Sequence, residues 1–441
     1  MSYKAIILIG GQQHQHGSIF RPLSLDLPTP LFPVAGRPLV QHQIEVCLKV
    51  QAITEVLLIG CYNRGDTLDQ FITSLQGKYP FKVRYLQEYN PMGLGTGGGL
   101  YHFRDQILAT DPRGMFVFNC DVCCDFPLRD MIEFYESKPN SHVILGTTVN
   151  EKQSHHYGCI VTDPSHQVRH YVEKPETFVS NLINAGIYLL SPADFFSHIR
   201  SVYNIRAMHT IEYMNNGDST MDEVTHVESI SLEHDFLAKI AGSARLYVME
   251  LSRDRFWSQI KTAGCAIYAS RFYLYTYRVS YPEMLSPNSS DTLQSDSNMG
   301  PCITGNVWIH SSAKVDTSAH LGPNVSIGAN VVIASGVRVR ESIVLDGARL
   351  ERHSCVLYSV VGWNCRVGAW SRVEGMPNDP DADDPHARPN ADALFDSEGR
   401  LLPSSTILGQ GVSLAPEKML LNCIVLPHKS LSATYKHQII L

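Results

Sequence analysis

The sequence predicts an α/β chain in two parts, a Rossmann-like domain followed by a parallel β-helix of hexapeptide repeats. Three observations carry this. Short apolar runs alternate with helical periodicity over the first 280 residues, and a stretch rich in Ser, Asn, Asp and Pro follows at Tyr281–Pro301. After it, an aliphatic residue recurs at every sixth position. The 441 residues exceed what one ordinary core organises, so two domains are expected at 1–280 and 302–441, with 281–301 as linker.

In the first part, Ala5–Ile9, Glu55–Ile59, Val83–Leu86, Met115–Asn119 and His142–Thr147 read as strands. Their alternation with helical periodicity predicts a mostly parallel sheet with helices on both faces and ligands at the carboxyl ends of strands. Arg200–Thr225 is polar and patternless, and is expected to be a surface excursion. In the second part, Ile303, Ile309, Val315, Leu321, Ile327, Ile333, Val339 and Leu345 fall at an unbroken spacing of six. Glu351 interrupts this register, and Val361, Val367 and Val373 resume it. Each turn of such a coil buries its aliphatic residue against the turns above and below, so stability comes from stacking. Glu374–Pro403 then breaks the coil. It holds Asp379, Asp381, Asp383, Asp384 and Asp392, several prolines and little apolar content, too little to fold alone. This acidic insertion, 374–403, is expected to be an interaction element, with regular structure returning at Ile407–Leu414 and Ile424–Leu426.

Composition narrows the function. A net charge of -7 argues against broad electrostatic binding to nucleic acid or a membrane surface, so any phosphate must be held locally. No apolar segment approaches the length of a membrane span, and the short run after Lys4 ends in two glycines like a buried strand. Eleven cysteines, odd in number and widely spread, suit reduced thiols and a cytoplasmic location. Cys120, Cys123 and Cys124 resemble half a zinc site that nothing completes, so they are expected to be buried thiols.

The candidate ligand residues lie where strands end. Gly10-Gly11 follows Leu8 and Ile9, allowing close approach of backbone to a ligand. Gln87-Glu88 precedes Gly93-Leu94-Gly95-Thr96-Gly97-Gly98-Gly99, whose helix N-terminus suits an anion or a nucleotide edge. A carboxylate at Glu88 can accept from both N1–H and the 2-amino group of guanine, against the plainer reading of a solvated loop acid. Leu8, Gly10, Gly11, Gln87, Glu88, Gly95 and Thr96 are therefore the candidate nucleotide-binding residues. Asp121, at the end of a strand, stands where a Mg²⁺-binding carboxylate would, or caps the next turn. Gly158, Glu173, Lys174 and Asn184 are the candidate sugar-phosphate residues. There the carboxylate would take hydroxyls and the ammonium the phosphate.

Together these blocks, with Ile6-Ile7-Leu8-Ile9-Gly10-Gly11 at the start, resemble the GDP-mannose pyrophosphorylases, or mannose-1-phosphate guanylyltransferases, over nearly the whole chain. Leu31-Phe32-Pro33-Val34-Ala35-Gly36, Gly97–Asp105, Trp257–Lys261, Ile424–Lys429 and Gln438–Leu441 look like the alpha, non-catalytic subunits of that family in particular. The resemblance implies a nucleotidyltransferase domain followed by a left-handed β-helix. It also implies a cytoplasmic hetero-oligomer with a catalytic beta subunit, and product feedback by GDP-mannose.

Three departures bear on the chemistry. Ile19 stands at the arginine of the family's GTR block, Thr29 at the lysine of its PKPL block, and Gln259 at the second metal aspartate of its W-x-D pattern. The family reaction, attack of mannose 1-phosphate on the α-phosphorus of GTP, depends on such cations and on Mg²⁺. Losing one stabilising group typically costs ~10²–10³ in rate. The expected function is thus a degenerate regulatory subunit with no catalytic residues and at most a vestigial Mg²⁺ site at Asp121.

The rival reading is an active guanylyltransferase using Arg21, or the lengthened Gln12–His16 loop with His14 and His16, as substitute cations. Pro91-Met92-Gly93 lengthens the next loop as well. A scaffold akin to the transferase-like subunits of the translation initiation exchange factor would carry long additional C-terminal helices. A hexapeptide acyltransferase, with His310, His320 or His353 as base, would have no use for the N-terminal domain.

Overall fold

The computed structural model describes residues 2–11, 20–25, 27–63, 65–89, 94–138, 140–216, 229–252, 254–288, 300–376 and 405–441. The chain divides into two compact units, Met1–Gln15 with Val40–Trp257, and His16–Leu39 with Ser258–Leu441. Residues 16–39 and 258–280, expected in the first domain, thus group with the coil. Ile19, His14, His16, Pro91–Gly93 and most of the acidic insertion lie outside the described residues.

The first unit is built on nine strands: β1 Tyr3–Gly10, β2 Ile53–Gly60, β3 Lys82–Gln87, β4 Gly114–Asn119, β5 His142–Thr148, β6 Gly158–Thr162, β7 Val168–Glu173, β8 Leu182–Leu190 and β9 Leu246–Glu250. They lie in the order β7-β6-β8-β4-β1-β2-β3, with β5 pairing β8 and β9. The parallel part is β4-β1-β2-β3; β1 and β4 are almost continuous apolar runs, as strands covered on both faces require, while the edge strand β3 alternates, with Lys82 and Arg84 exposed. Beyond β4 the sheet is mixed, since β8 runs antiparallel to β4 and β5, and β7 antiparallel to β6. The expected mostly parallel sheet is therefore only its first half.

Helices α1 Leu39–Val46, α2 Asp66–Leu75, α3 Gly95–His102, α4 Leu128–Glu136 and α5 Pro192–Asn216 accompany the sheet. The core joins Ile6, Leu57, Val117 and Tyr188 of the strands to Phe195 and Ile199 of α5. The expected irregular excursion from Arg200 is in fact the continuation of α5 to Asn216. Phe195, Phe196 and Ile199 seat the helix in the core, and Val202 and Tyr203, past Arg200, pack against the same core.

In the second unit the coil is a left-handed parallel β-helix whose described residues form three sheets of seven, seven and six short strands. One rung column runs Ile303, Leu321, Val339, Val356, Val373, Leu420. A second runs Ile309, Ile327, Val344, Val361, Leu408, Val425, and a third Val315, Ile333, Leu350, Val367, Leu414, Leu431. Leu345, expected in register, therefore yields its place to Val344, and Leu350 takes the place of the interrupting Glu351. The cause is a shortened corner. Only Glu341, at φ +47°, separates Arg338–Arg340 from Ser342–Val344, whereas Gly322, Pro323 and Asn324 fill the corner one turn earlier. The coil crosses the acidic insertion in register, with Val361 beside Leu408 and Val373 beside Leu420.

Helix α6, Ala263–Ser280, lies along this coil. Arg271 donates through Nε and Nη2 to Glu341 Oε2 at 3.1 and 3.0 Å, and Asn324 Nδ2 donates to Oε1 at 2.9 Å. Both charged side chains are almost fully buried, at 5% and 2% exposure. Burial pushes the Glu341 carboxyl up, and Arg271 and Asn324 pull it back. Arg278 adds bonds to Asn306 Oδ1 and the Gly305 carbonyl. No described helix is long and apolar enough to cross a membrane.

A buried pair is costly when broken and cheap when replaced whole. Arg271→Met should lower stability by about 3–5 kcal/mol, and the Arg271→Met, Glu341→Leu double variant should recover most of that loss. Urea unfolding of both proteins checks this. Equal destabilisation would show that the loss lies in packing and not in an orphaned carboxylate.

Candidate functional site

Within the first unit, the carboxyl ends of the parallel strands form one edge: Gly10 is paired with Gly60, Gly60 with Gln87, and Leu8 with Asn119. The strand order reverses at β1, with β2 and β3 on one side and β4 on the other, which is where such sheets open a crevice. Gly10 and Gly11 lie at this edge, and the space where a Gly10 side chain would sit is open to 4 Å. Gln87 Nε2 reaches Asn63 Oδ1 at 3.3 Å.

The glycine-rich helix departs from expectation. The amides of Gly97 and Gly98 donate to the Ile230 carbonyl at 2.8 and 3.1 Å, and Ile230 N–H donates to the Leu94 carbonyl at 2.8 Å. Thr96 Oγ1 donates to Glu233 Oε2 at 2.9 Å and accepts from the Leu232 amide at 2.8 Å. These N-terminal amides are thus taken by the segment at Ser229–Glu233 and are not held out to an anion. Gly95 sits at φ +77° directly under that segment.

Glu88 is buried, at 8% exposure. Its Oε2 accepts from Cys61 Sγ at 3.2 Å and from the Leu94 amide at 3.4 Å. A Cβ on Gly99 would meet Oε1, so a larger residue there must displace this carboxylate. Burial, then the Glu88 charge, push the Cys61 thiol up to about 12. Glu88 is therefore not a solvated loop acid, and its carboxylate supports the glycine-rich turn from below.

Asp121 is half-buried in the turn between β4 and the short strand Val122–Cys124. Gln43 of α1, fully buried, holds that turn. Its Nε2 reaches the carbonyls of Asn119, Cys120 and Val122 at 2.9, 3.3 and 3.0 Å. Among the described residues no group of three or more His, Cys, Asp or Glu could hold a metal ion. One carboxylate does not make a Mg²⁺ site by itself, since that ion needs substrate phosphates or a second acid. Cys120, Cys123 and Cys124 are buried thiols as expected, and all eleven cysteines are free.

The sugar-phosphate candidates come together around two tyrosines. Tyr171 OH donates to Glu173 Oε2 at 2.8 Å and accepts from Asn184 Nδ2 at 3.0 Å. Asn184 Nδ2 also donates to Tyr188 OH at 2.8 Å, while its Oδ1 accepts from the Gly186 amide. A Cβ on Gly158 would fall 2.2 Å from Tyr171 OH and 2.7 Å from Glu173 Oε2. Lys174, at φ +44° and largely exposed, places Nζ 3.8 Å from Glu173 Oε1. Burial holds both phenols well above their ordinary range, so both stay protonated. Trp257 Nε1 donates to the Ala185 carbonyl at 2.9 Å beneath this cluster.

Tyr171, Tyr188 and Gln43 were not among the sequence candidates. A signal existed for the tyrosines, because strand periodicity puts Tyr171 on the face of Glu173 and Tyr188 on the face of Asn184. What results is an acid, an ammonium, an amide and two phenols, a donor and acceptor set suited to hexose hydroxyls beside a phosphate.

Residues 4–223 match the family described as Nucleotidyl transferase, and residues 303–440 match the GMPPB C-terminal domain. The chain is 50% identical to the mannose-1-phosphate guanylyltransferase regulatory subunit alpha-A of Danio rerio and 50% identical to the regulatory subunit alpha of Rattus norvegicus. It is 51% identical to that of Xenopus tropicalis. Each comparison covers 99% of this chain and 100% of the relative. Among solved structures, HddC from Yersinia pseudotuberculosis is 22% identical with a TM-score of 0.44, over 62% of this chain and 99% of that one. A putative glucose-1-phosphate thymidylyltransferase from Bacillus anthracis is 16% identical with a TM-score of 0.46, over 61% and 94%.

The contact between Gly99 and Glu88 gives a test of the turn. In a helix, Gly→Ala ordinarily stabilises by roughly 0.5–1 kcal/mol. Gly99→Ala should instead destabilise by about 1–3 kcal/mol through overpacking. In a Glu88→Ala background the same change should become neutral or stabilising. A double-mutant cycle by urea unfolding reads the difference, and an equal cost in both backgrounds would refute the contact.

Proposed function

The chain belongs to the family of mannose-1-phosphate guanylyltransferase regulatory alpha subunits, and on that premise we propose that it binds GDP-mannose and restrains a catalytic beta subunit. The observation that carries this reading is the cluster at Gly158, Glu173, Lys174 and Asn184. Its groups are bonded to one another around Tyr171, while in the sequence Ile19, Thr29 and Gln259 stand where the family has an arginine, a lysine and an aspartate. Thr29, in the place of the family's lysine, opens the helical turn Thr29–Leu31 and is neutral. Gln259, the last residue of the strand Trp257–Gln259, is neutral.

Sugar-nucleotide binding needs hydrogen-bonding groups, whereas transfer to phosphorus also needs positive charge on the leaving pyrophosphate. A chain holding the first set without the second can keep affinity for the product and lose turnover. In this reading the guanosine diphosphate lies along Leu8, Gly10, Gly11, Gln87, Glu88, Gly95 and Thr96, and the hexose against Glu173 and Asn184. Asp121 would meet Mg²⁺ only where a nucleotide brought the ion with its phosphates. The acidic insertion is the proposed element that reaches the catalytic partner, and the free thiols suit a cytoplasmic setting.

Purified chain given GTP, mannose 1-phosphate and Mg²⁺ should release no pyrophosphate, and clear turnover would overturn the regulatory reading. Calorimetry should show GDP-mannose binding that Lys174→Ala weakens by roughly tenfold or more, since a charged hydrogen bond to phosphate is lost. Excising residues 377–404 should leave assembly with the catalytic subunit intact and abolish inhibition by GDP-mannose. Undiminished inhibition would remove the insertion from that role.

A further inference from the structure

We propose that this site reads the N1–H of a 6-oxopurine base and leaves the 2-amino group unread, because Cys61 occupies the Glu88 oxygen that guanine would need for it. The inference rests on the reading above, that the site binds a sugar nucleotide, and names which bases that nucleotide can carry.

Cys61 directly follows Gly60, the last residue of β2. Its amide donates to the Gly10 carbonyl at 2.8 Å, and the Glu88 amide donates to the Gly60 carbonyl at 2.8 Å. A Cβ on Gly11 would stand 2.6 Å from Cys61 Cβ and 3.4 Å from its sulfur. Cys61 is thus wedged between the glycine pair and Glu88, where the ends of β1, β2 and β3 meet.

The two oxygens of Glu88 are not equivalent. Oε2 accepts from Cys61 Sγ at 3.2 Å and from the Leu94 amide at 3.4 Å, so both donors fall on the same oxygen. Among the described residues no donor reaches Oε1, although the side chain is only 8% exposed. Burial and the Glu88 charge push the Cys61 thiol up to about 12, so its proton stays on sulfur and remains a donor. A buried carboxylate oxygen without a donor carries a cost that an N–H from a ligand would remove.

Guanine offers two donors side by side, N1–H and the 2-amino group. A carboxylate pairs with both only by presenting both of its oxygens. With Oε2 committed to Cys61 and Leu94, one strong bond remains to be made, at Oε1. Hypoxanthine makes it as well as guanine does, since it keeps N1–H and lacks only the 2-amino group. Adenine has no hydrogen at N1, and turning that acceptor toward Glu88 sets lone pair against lone pair.

Calorimetric titration of the full chain with GDP-mannose, IDP-mannose and ADP-mannose, which differ in the base alone, tests this. GDP-mannose and IDP-mannose should bind within about threefold of each other, and ADP-mannose roughly tenfold or more weakly. Cys61→Ala frees Oε2 and should create a preference for GDP-mannose over IDP-mannose of about tenfold. Cys61→Ser keeps a donor and should keep the wild-type ratio. A wild-type preference for GDP-mannose over IDP-mannose of about tenfold would overturn the inference, as would a ratio that Cys61→Ala leaves unchanged. Equal binding of ADP-mannose would show that Glu88 does not read the base, while sugar-nucleotide binding stands. Should none of the three bind, the functional reading fails and this inference with it.

Discussion

Three consecutive glycines at the start of α3 set the geometry of the first unit, because a helix surface without Cβ atoms can be approached from two sides at once. On one side Glu88 fits against Gly99, its carboxylate taking the Cys61 thiol and the Leu94 amide. On the other, Ile230 lies close enough to accept from Gly97 and Gly98. With the helix N-terminus closed by the chain's own carbonyl, its dipole and amides are spent internally. The amides of Gly97 and Gly98 are therefore occupied within the chain. The same closeness brings Glu233 to Thr96.

The polar cluster around Tyr171 obeys a different constraint, that of completeness. Buried phenols, an amide and a carboxylate are stable together when every proton has a destination. Tyr171 gives its proton to Glu173 and receives one from Asn184, whose other hydrogen goes to Tyr188. Gly158 is small so that this closure can occur. The ammonium of Lys174 is left largely in water, held near Glu173 by charge. A cluster assembled in this way holds its polar groups in fixed positions before any ligand arrives.

In the second unit, one residue fewer at a corner turns a repeat into an anchor. Shortening the corner to Glu341 shifts every later rung by one position, and it also points a carboxylate at Arg271. The buried pair does more for specificity than for net stability, since two charges must leave water to form it. It fixes where along the coil α6 lies, which stacking of near-identical turns cannot do.

The α/β class, the first five strands and the aliphatic columns of the coil were all legible in the sequence, because each is a short-range periodicity or a short apolar run. The one-residue slip after Val339 was legible as well. Val344, Leu350 and Val356 are aliphatic, and a strict period of six passed over them in favour of Leu345 and Glu351. The sequence also offered Glu173, Lys174, Asn184 and Asp121 as candidates, and the fold gathers Glu173, Lys174 and Asn184 around Tyr171. What each carboxylate faces could not be read. Glu88 turning under Gly99, Ile230 closing the helix from more than a hundred residues away, and Gln43 holding the Asp121 turn are contacts between segments that no local pattern links. Periodicity reports which face of an element is buried. Only the packed chain decides which partner that face meets, because the partner is chosen by shape and by the pairing of buried polar groups across the whole fold.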